Sequence, residues 1–525
     1  MKSLDSLEEN LLRRANIGDV LRRSAEHYPE RLAVTFGGKS LTFKQLNEMS
    51  CRCANSLLEM GINKGDRVAL MTHNCPHYIA CWMGLAKIGA VTTPLNFMLK
   101  GPEVEYIVNH AGPKAFFVED SLVGVVQEVS GKLKSIQHFG MISLGKGEKP
   151  EGWLDVEQLF TDGKDASEPE VEAGDEEIAT LMYTSGTEAL PKGVMNSHLN
   201  FFHSISSGVI DLEIYRDDVI LVPIPLYHIA AKYLLMLCMN ICAHVVLEYA
   251  PNPVEILDLT QKERISYWIF PPTLYQALLA IPDFESYDVS SVKKCICFGS
   301  YMPRALLEKW RKILPDSRWR NYYGQTESTP MGSTLQPDKF DEKIESIGKP
   351  HTNVLIRIFN DGDEELPVGE VGEIVMRSPS VMLGYYENEE KTAVTLKGGW
   401  LHTGDLGRFD EDGYLYFIDR KKDIIKTGGE NVSSLEVEGV ISKHEKVMQT
   451  AVIGLRDEYW GEAVTAVVVP KPGVVLEPEE VIIYCKEKLA GYKVPKRIFV
   501  EQDMPISPSG KILKRLLRER YTSSG

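Results

Sequence analysis

YTSGTEALPKG, Tyr183 to Gly193, continues the apolar run IATLMY, Ile178 to Tyr183. An apolar run of strand length that breaks at a Ser-Gly-Thr turn reads as a buried strand capped by a loop, the place where α/β folds hold their ligands. Thr184, Ser185 and Thr187 set three hydroxyls around Gly186, whose free φ lets backbone N–H groups turn inward onto an anion. Lys192 adds a point charge for the same phosphates. The loop is not of the Walker type, which needs glycine before its lysine and Ser or Thr after it. Here Pro191 precedes Lys192 and Gly193 follows.

Outward from this loop the N-terminal portion alternates helical patterns, such as Phe43 to Met60, with short β-rich runs such as RVALMT and GAVTTPLN. That alternation predicts α/β layers. A chain of 525 residues exceeds the roughly 250–300 residues at which one core stops growing, so at least two domains are expected. From about Gly372 glycines and charges separate short strands, and the last hundred residues carry their own strands (TAVIGL, AVTAVVVP) and helix (EPEEVIIYCKEKL). The expected division is a large domain of layered sheets and helices over residues 1–420 and a small, mobile α+β domain over 421–525. The final YTSSG is expected to fray.

Hydrophobic content of 43% with 25% charged residues is ordinary for a globular protein. No segment has the charged start, apolar run and cleavage site of a leader peptide, so a soluble, cytoplasmic protein is expected. The longest greasy stretch, LLMLCMNICAHVVLEYA, contains Asn240 and His244 and reads as buried core, short of the ~20 apolar residues that span a bilayer. The net charge of −16 argues against nucleic acid and anionic membranes and points to a small-molecule partner. Nine cysteines in apolar settings, among them Cys238, Cys242, Cys295 and Cys297, read as reduced, buried thiols. Cys51 and Cys53 lack the second cluster that a zinc site needs.

Downstream lie PLYH (Pro225 to His228), NYYGQTE (Asn321 to Glu327), HTGD (His402 to Asp405), DRKKDIIKTGGEN (Asp419 to Asn431) and PISPSGK (Pro505 to Lys511). In this order and spacing, together with the Ser-Gly-Thr loop, they resemble the acyl-adenylate-forming superfamily: acyl-CoA synthetases, luciferases and peptide-synthetase adenylation domains. The resemblance runs from SLTFKQL near the start to the lysine near the finish, and its acyl-CoA synthetase branch fits best.

The resemblance implies ATP, Mg²⁺ and coenzyme A. In YGQTE, Tyr323 offers a face for adenine and Thr326 a hydroxyl for the α-phosphate. Glu327 offers an oxygen for Mg²⁺, with Thr187 as a second. Asn321 resembles the position that reads the adenine edge; Gly324 and Ser300 join the nucleotide contacts. Asp405 and Arg420 match the pair that holds the ribose hydroxyls. His228 matches the residue that positions the substrate carboxylate, and Thr184 lies beside the reacting phosphate. Lys511 matches the catalytic lysine that bridges carboxylate and α-phosphate as negative charge builds. Lys422 matches the hinge on which the C-terminal domain turns, carrying the loop of Thr427, Gly428 and Gly429 to line a pantetheine tunnel. A homodimer is compatible with the resemblance.

Two features depart from the pattern. Glu188 and Ala189 replace small residues in the phosphate loop, Ala189 standing where a glycine is usual. Lys232 lies in a segment that is normally small or apolar, and is expected to point to solvent from a helix. The acyl pocket is expected near His228 to Tyr233, Gly299 to Pro303 and Gly324 to Met331. Tyr301, Met302 and Met331, with no evident buried cation, suggest a monocarboxylate with a medium-chain aliphatic, alicyclic or aromatic body. The implied activity is an AMP-forming carboxylate:CoA ligase, with acyl transfer to a carrier protein and a quiet nucleotide binder as alternatives. An amino-acid adenylation domain would place an Asp in a Phe-Asp context where this chain has Tyr227 and His228.

Overall fold

The computed structural model describes residues 6–161, 163–184, 190–299, 302–506 and 512–522. Ser185, Gly186, Thr187, Glu188, Ala189, Ser300, Tyr301 and Lys511 therefore lie outside the described residues. The chain packs into two units. One comprises Met1–Ile344, Gly348–Leu355 and Met376–Leu401; the other comprises Glu345–Ile347, Ile356–Val375 and His402–Gly525. The position expected for the boundary, Lys421, falls inside the second unit.

The larger unit is built on two sheets. In the first, of eight strands, Ile178–Thr184, Val91–Pro94, Arg67–Met71, Ala115–Glu119, His138–Ile142 and Leu154–Asp155 run parallel, and Lys192–Ser197 turns back against Ile178–Thr184. In the second, of nine strands, Arg318–Gly324, Lys294–Phe298, Tyr267–Phe270, Val219–Val222, His244–Leu247 and Leu32–Phe36 are parallel, with antiparallel strands at both ends. The runs VILV, YWIF and KCICF have no polar alternation because helices cover both faces of a parallel sheet. The layered α/β architecture agrees with the expectation from sequence.

Local signals explain the element ends. Helix Phe43–Glu59 starts at a capping box in which the Thr42 hydroxyl accepts from the Gln45 N–H and the Gln45 side chain accepts from the Thr42 N–H, a pair of bonds worth about 1 kcal/mol. The greasy stretch is buried as expected, folded as helix Ile229–Ile241 and strand His244–Leu247 joined through left-handed Cys242. All nine cysteines are buried and free. No helix among the described residues is long and apolar enough to cross a membrane.

In the second unit, Val447–Asp457 and Gly461–Pro470 form a long hairpin against which helices Ser434–Ile441 and Pro478–Lys486 pack through Val437, Ile441, Val481 and Cys485. Of the end expected to fray, Tyr521 and Thr522 are helical, and 523–525 lie outside the described residues. Helix Lys514–Thr522 includes Tyr521, whose ring stacks on Phe499 at 3.9 Å, and Arg518 pairs with Asp423 at 2.7 Å.

Candidate nucleotide and acyl site

In the larger unit Thr184 and Lys192 close the described part of a hairpin, directly opposite each other in register. Lys192 Nζ stands 5.6 Å from the centre of the Tyr385 ring. Tyr385 belongs to the two-residue strand Gly384–Tyr385 that pairs with Met195 and Val194, which fixes the ring beside the hairpin. The Tyr385 hydroxyl donates to Glu327 Oε1 at 3.0 Å. One tyrosine therefore gathers a cation suited to phosphate and an oxygen donor suited to a hard cation, so the donor set fits MgATP chemistry.

The second sheet delivers Asn321, Tyr323 and Gly324 on strand Arg318–Gly324, followed by the 3₁₀ turn Thr326–Ser328. Gly324 is dictated by space, since a Cβ there would lie 1.5 Å from the Pro330 carbonyl oxygen. Asn321 is buried and its amide donates to the Ile344 carbonyl at 2.9 Å. Asn196 anchors the turn by donating to the Thr326 carbonyl and to Thr329 Oγ1, and Met382 N–H donates to the Glu327 carbonyl.

In the second unit, Asp405 and Arg420 face each other across strands Leu401–Phe409 and Leu415–Arg420, with Arg420 Nε 3.6 Å from Asp405 Oδ1. Asp405 is 7% exposed. Gly404, at φ 71°, supplies the left-handed kink that lets its N–H reach Glu373 while the Asp405 N–H reaches Thr403 Oγ1. Gly428 and Gly429, at φ 59° and 84°, form the two-residue turn between Ile425–Thr427 and Glu430–Val432, a geometry that requires positive φ at both positions.

His228 caps helix Ile229–Ile241: its Nδ1 accepts from the Ala230 N–H at 3.3 Å, and its carbonyl accepts from the Lys232 N–H at 3.2 Å. The preceding segment is pinned by Asn74, which donates to the carbonyls of Ile224 and Glu248 and accepts from the Leu226 N–H. Sequence reasoning missed Asn74. It also missed its neighbour His73, stacked between Phe97 at 3.9 Å and Tyr249 at 4.2 Å, with Nδ1 2.9 Å from Glu119. Burial works to raise the Glu119 pKa, but hydrogen bonds from His73, Ser121 and Tyr249 outweigh it and bring it down to about 2. The signals were present as Asn after a strand end and as Tyr385 in LGYY, yet neither motif states what it touches.

Lys232 corrects the expectation of a solvent-facing lysine, and with it the reading that the interior holds no cation. It is 0% exposed. The helix IAAKYLLMLCMNI is apolar almost all round, and a helix of that kind is enclosed on every side. Its Nζ lies 3.8 Å from the centre of the Trp82 ring and 4.7 Å from that of Tyr78, both on helix Pro76–Lys87. Met302 and Met331 are buried as well.

Residues 21–386 match the AMP-binding enzyme family, and residues 436–511 match the AMP-binding enzyme C-terminal domain. The chain belongs to the AMP-binding enzyme family, on its acyl-CoA synthetase branch. It is 34% identical over 514 residues to a feruloyl-CoA synthase from Amycolatopsis, covering 97% of this chain and 100% of that one. It is 35% identical over 504 residues to the fatty acid–[acyl-carrier-protein] ligase ScoC of Streptomyces coeruleorubidus, covering 95% of each. The anthranilate CoA ligase AuaEII, solved with anthranoyl-AMP, superposes with a TM-score of 0.90 at 27% identity, covering 97% of this chain and 98% of that one.

Proposed function

We propose that this chain is an AMP-forming carboxylate:CoA ligase, which activates a carboxylic acid as its acyl-AMP and passes the acyl group to the CoA thiol. The observation that carries the reading is the meeting of Lys192 and Glu327 on Tyr385, at the ends of strands from two different sheets. Thr184, Ser185, Gly186, Thr187 and Lys192 bind the outer phosphates. Glu327 and Thr187 hold Mg²⁺, which neutralises phosphate charge when bound. Asn321, Tyr323 and Gly324 take adenine, Thr326 takes the α-phosphate, Ser300 adds a nucleotide contact, and Asp405 with Arg420 takes the ribose. His228 orients the substrate carboxylate for attack on the α-phosphate, and Lys511 neutralises the charge that develops there. Gly428 and Gly429 border the path of pantetheine, and Lys422 serves as the hinge of a mobile segment 421–525. Buried, reduced thiols support a cytoplasmic setting.

The likeness to ScoC favours one second reading, transfer to a carrier protein in place of CoA. Supplying either acceptor to preformed acyl-AMP separates the two.

The test follows AMP and acyl-CoA across a panel of carboxylic acids. Lys511→Ala is expected to slow acyl-AMP formation by about 10² to 10³. Formation of ADP in place of AMP refutes the mechanism.

A further inference from the structure

Lys232 Nζ, Tyr78 Oη and Trp82 Nε1 are all buried, and none has a hydrogen-bond partner among the described residues. Two of the three groups can only donate while Lys232 is charged, and the tyrosine donates as readily as it accepts. Buried donors are seldom left unmade, because each forfeits its interaction with water for nothing. Three adjacent side chains in this state mark a place made to receive an acceptor. Burial drives the Lys232 pKa well below the ordinary lysine value, because the ammonium gives up its hydration and has only the two ring faces in return. An oxygen acceptor, above all an anionic one, would favour the ammonium between the two rings. Lys232 follows His228 by one turn of the helix, the His228 carbonyl taking the Lys232 backbone N–H.

We propose that Lys232, with Trp82 and Tyr78, is the specificity determinant of the acyl pocket and selects acids that carry an oxygen acceptor at the end remote from the reacting carboxylate. The assignment rests on the reading of His228 as the carboxylate-positioning residue. One turn of helix rises about 5.4 Å, so with the reach of the lysine chain the second oxygen belongs on the order of 6–9 Å from the carboxyl carbon. A phenol oxygen across an aromatic acid and the far carboxylate of a medium-length diacid both meet that length.

The experiment compares matched pairs on the full-length protein: 4-hydroxycinnamate with cinnamate, and heptanedioate with heptanoate. Acid-dependent pyrophosphate release gives kcat/KM, and calorimetry on the ATP-free protein gives acid binding independently of turnover. The parent is expected to prefer the oxygen-bearing member of at least one pair by about tenfold to a hundredfold. Which pair is favoured tells phenol from carboxylate. Lys232→Met should abolish or reverse the preference through KM while keeping a melting temperature no lower than the parent's. Tyr78→Phe, which keeps its ring, and Trp82→Phe, which keeps an aromatic face of smaller size, remove one donor each; both should weaken it partially and serve if Lys232→Met does not fold.

Equal preference in parent and variants, or an apolar preference in the parent, overturns the proposal while leaving the ligase reading intact. Selective binding lost in Lys232→Met, without any AMP formed, upholds the proposal and overturns the ligase reading.

Discussion

Asp405 and Arg420 are cross-strand partners, and the guanidinium Nε lies 3.6 Å from a carboxylate that is itself nearly buried. The pairing orients an acceptor-only group beside a fixed donor fork, an arrangement that suits a vicinal diol. Asp405→Ala is expected to weaken AMP binding by about 1.5–3 kcal/mol, the cost of hydrogen bonds to a charged group. Titration calorimetry with AMP checks it, and an unchanged affinity removes Asp405 from the ribose.

Tyr385 ties Glu327 to the Lys192 hairpin. Tyr385→Phe keeps the ring and removes the donor, so Glu327 loses a bond worth about 0.5–1.5 kcal/mol. Glu327→Gln removes the charge itself and should raise the Mg²⁺ concentration needed for half-maximal activity far more than Tyr385→Phe does. A Mg²⁺ titration that is the same for Glu327→Gln and parent would show that the carboxylate serves only the turn.

Gly324 has no room for a side chain. Gly324→Ala must displace the Pro330 carbonyl, which is backbone and cannot swing away, and Gly332 opposite is also closed to a side chain, with a Cβ 2.4 Å from the Tyr323 carbonyl oxygen. Overpacking of this kind costs about 1–3 kcal/mol or more. The variant should melt several degrees below the parent and lose acyl-AMP formation. A variant as stable and active as the parent contradicts the geometry.

Glu248 is fully buried, and burial raises its pKa to about 8, only partly opposed by the Asn252 N–H bond. A carboxyl group raised in the folded state binds its proton more tightly there than in the unfolded chain. It costs nothing below the unfolded value, near 4.5, and destabilises progressively as pH rises from there toward 8. Glu248→Gln should therefore match the parent at pH 5 and exceed it at pH 8, by on the order of a few kcal/mol. Denaturant melts at the two pH values decide, and a gain that is the same at both would place the effect elsewhere than in the proton.

Much of the fold was legible because its signals are local. The Thr42–Gln45 cap, the apolar parallel strands and the two glycines at 428 and 429 each follow from backbone chemistry within a few residues. So does the end of the strand Ile178–Thr184, where the apolar run gives way to Ser-Gly-Thr. The side chains that meet across the fold were not legible in this way. Tyr385 is 58 residues from Glu327 and nearly 200 from Lys192, and only the pairing of Gly384–Tyr385 with Val194 and Met195 brings the three together. Lys232 marks the boundary most clearly. Its sequence states a cation in an apolar helix, and periodicity offers no polar face on which to place it. That it lies against Trp82 and Tyr78 was decided by the packing of a helix 150 residues earlier in the chain, because burial belongs to whatever covers a surface and not to the residue that forms it.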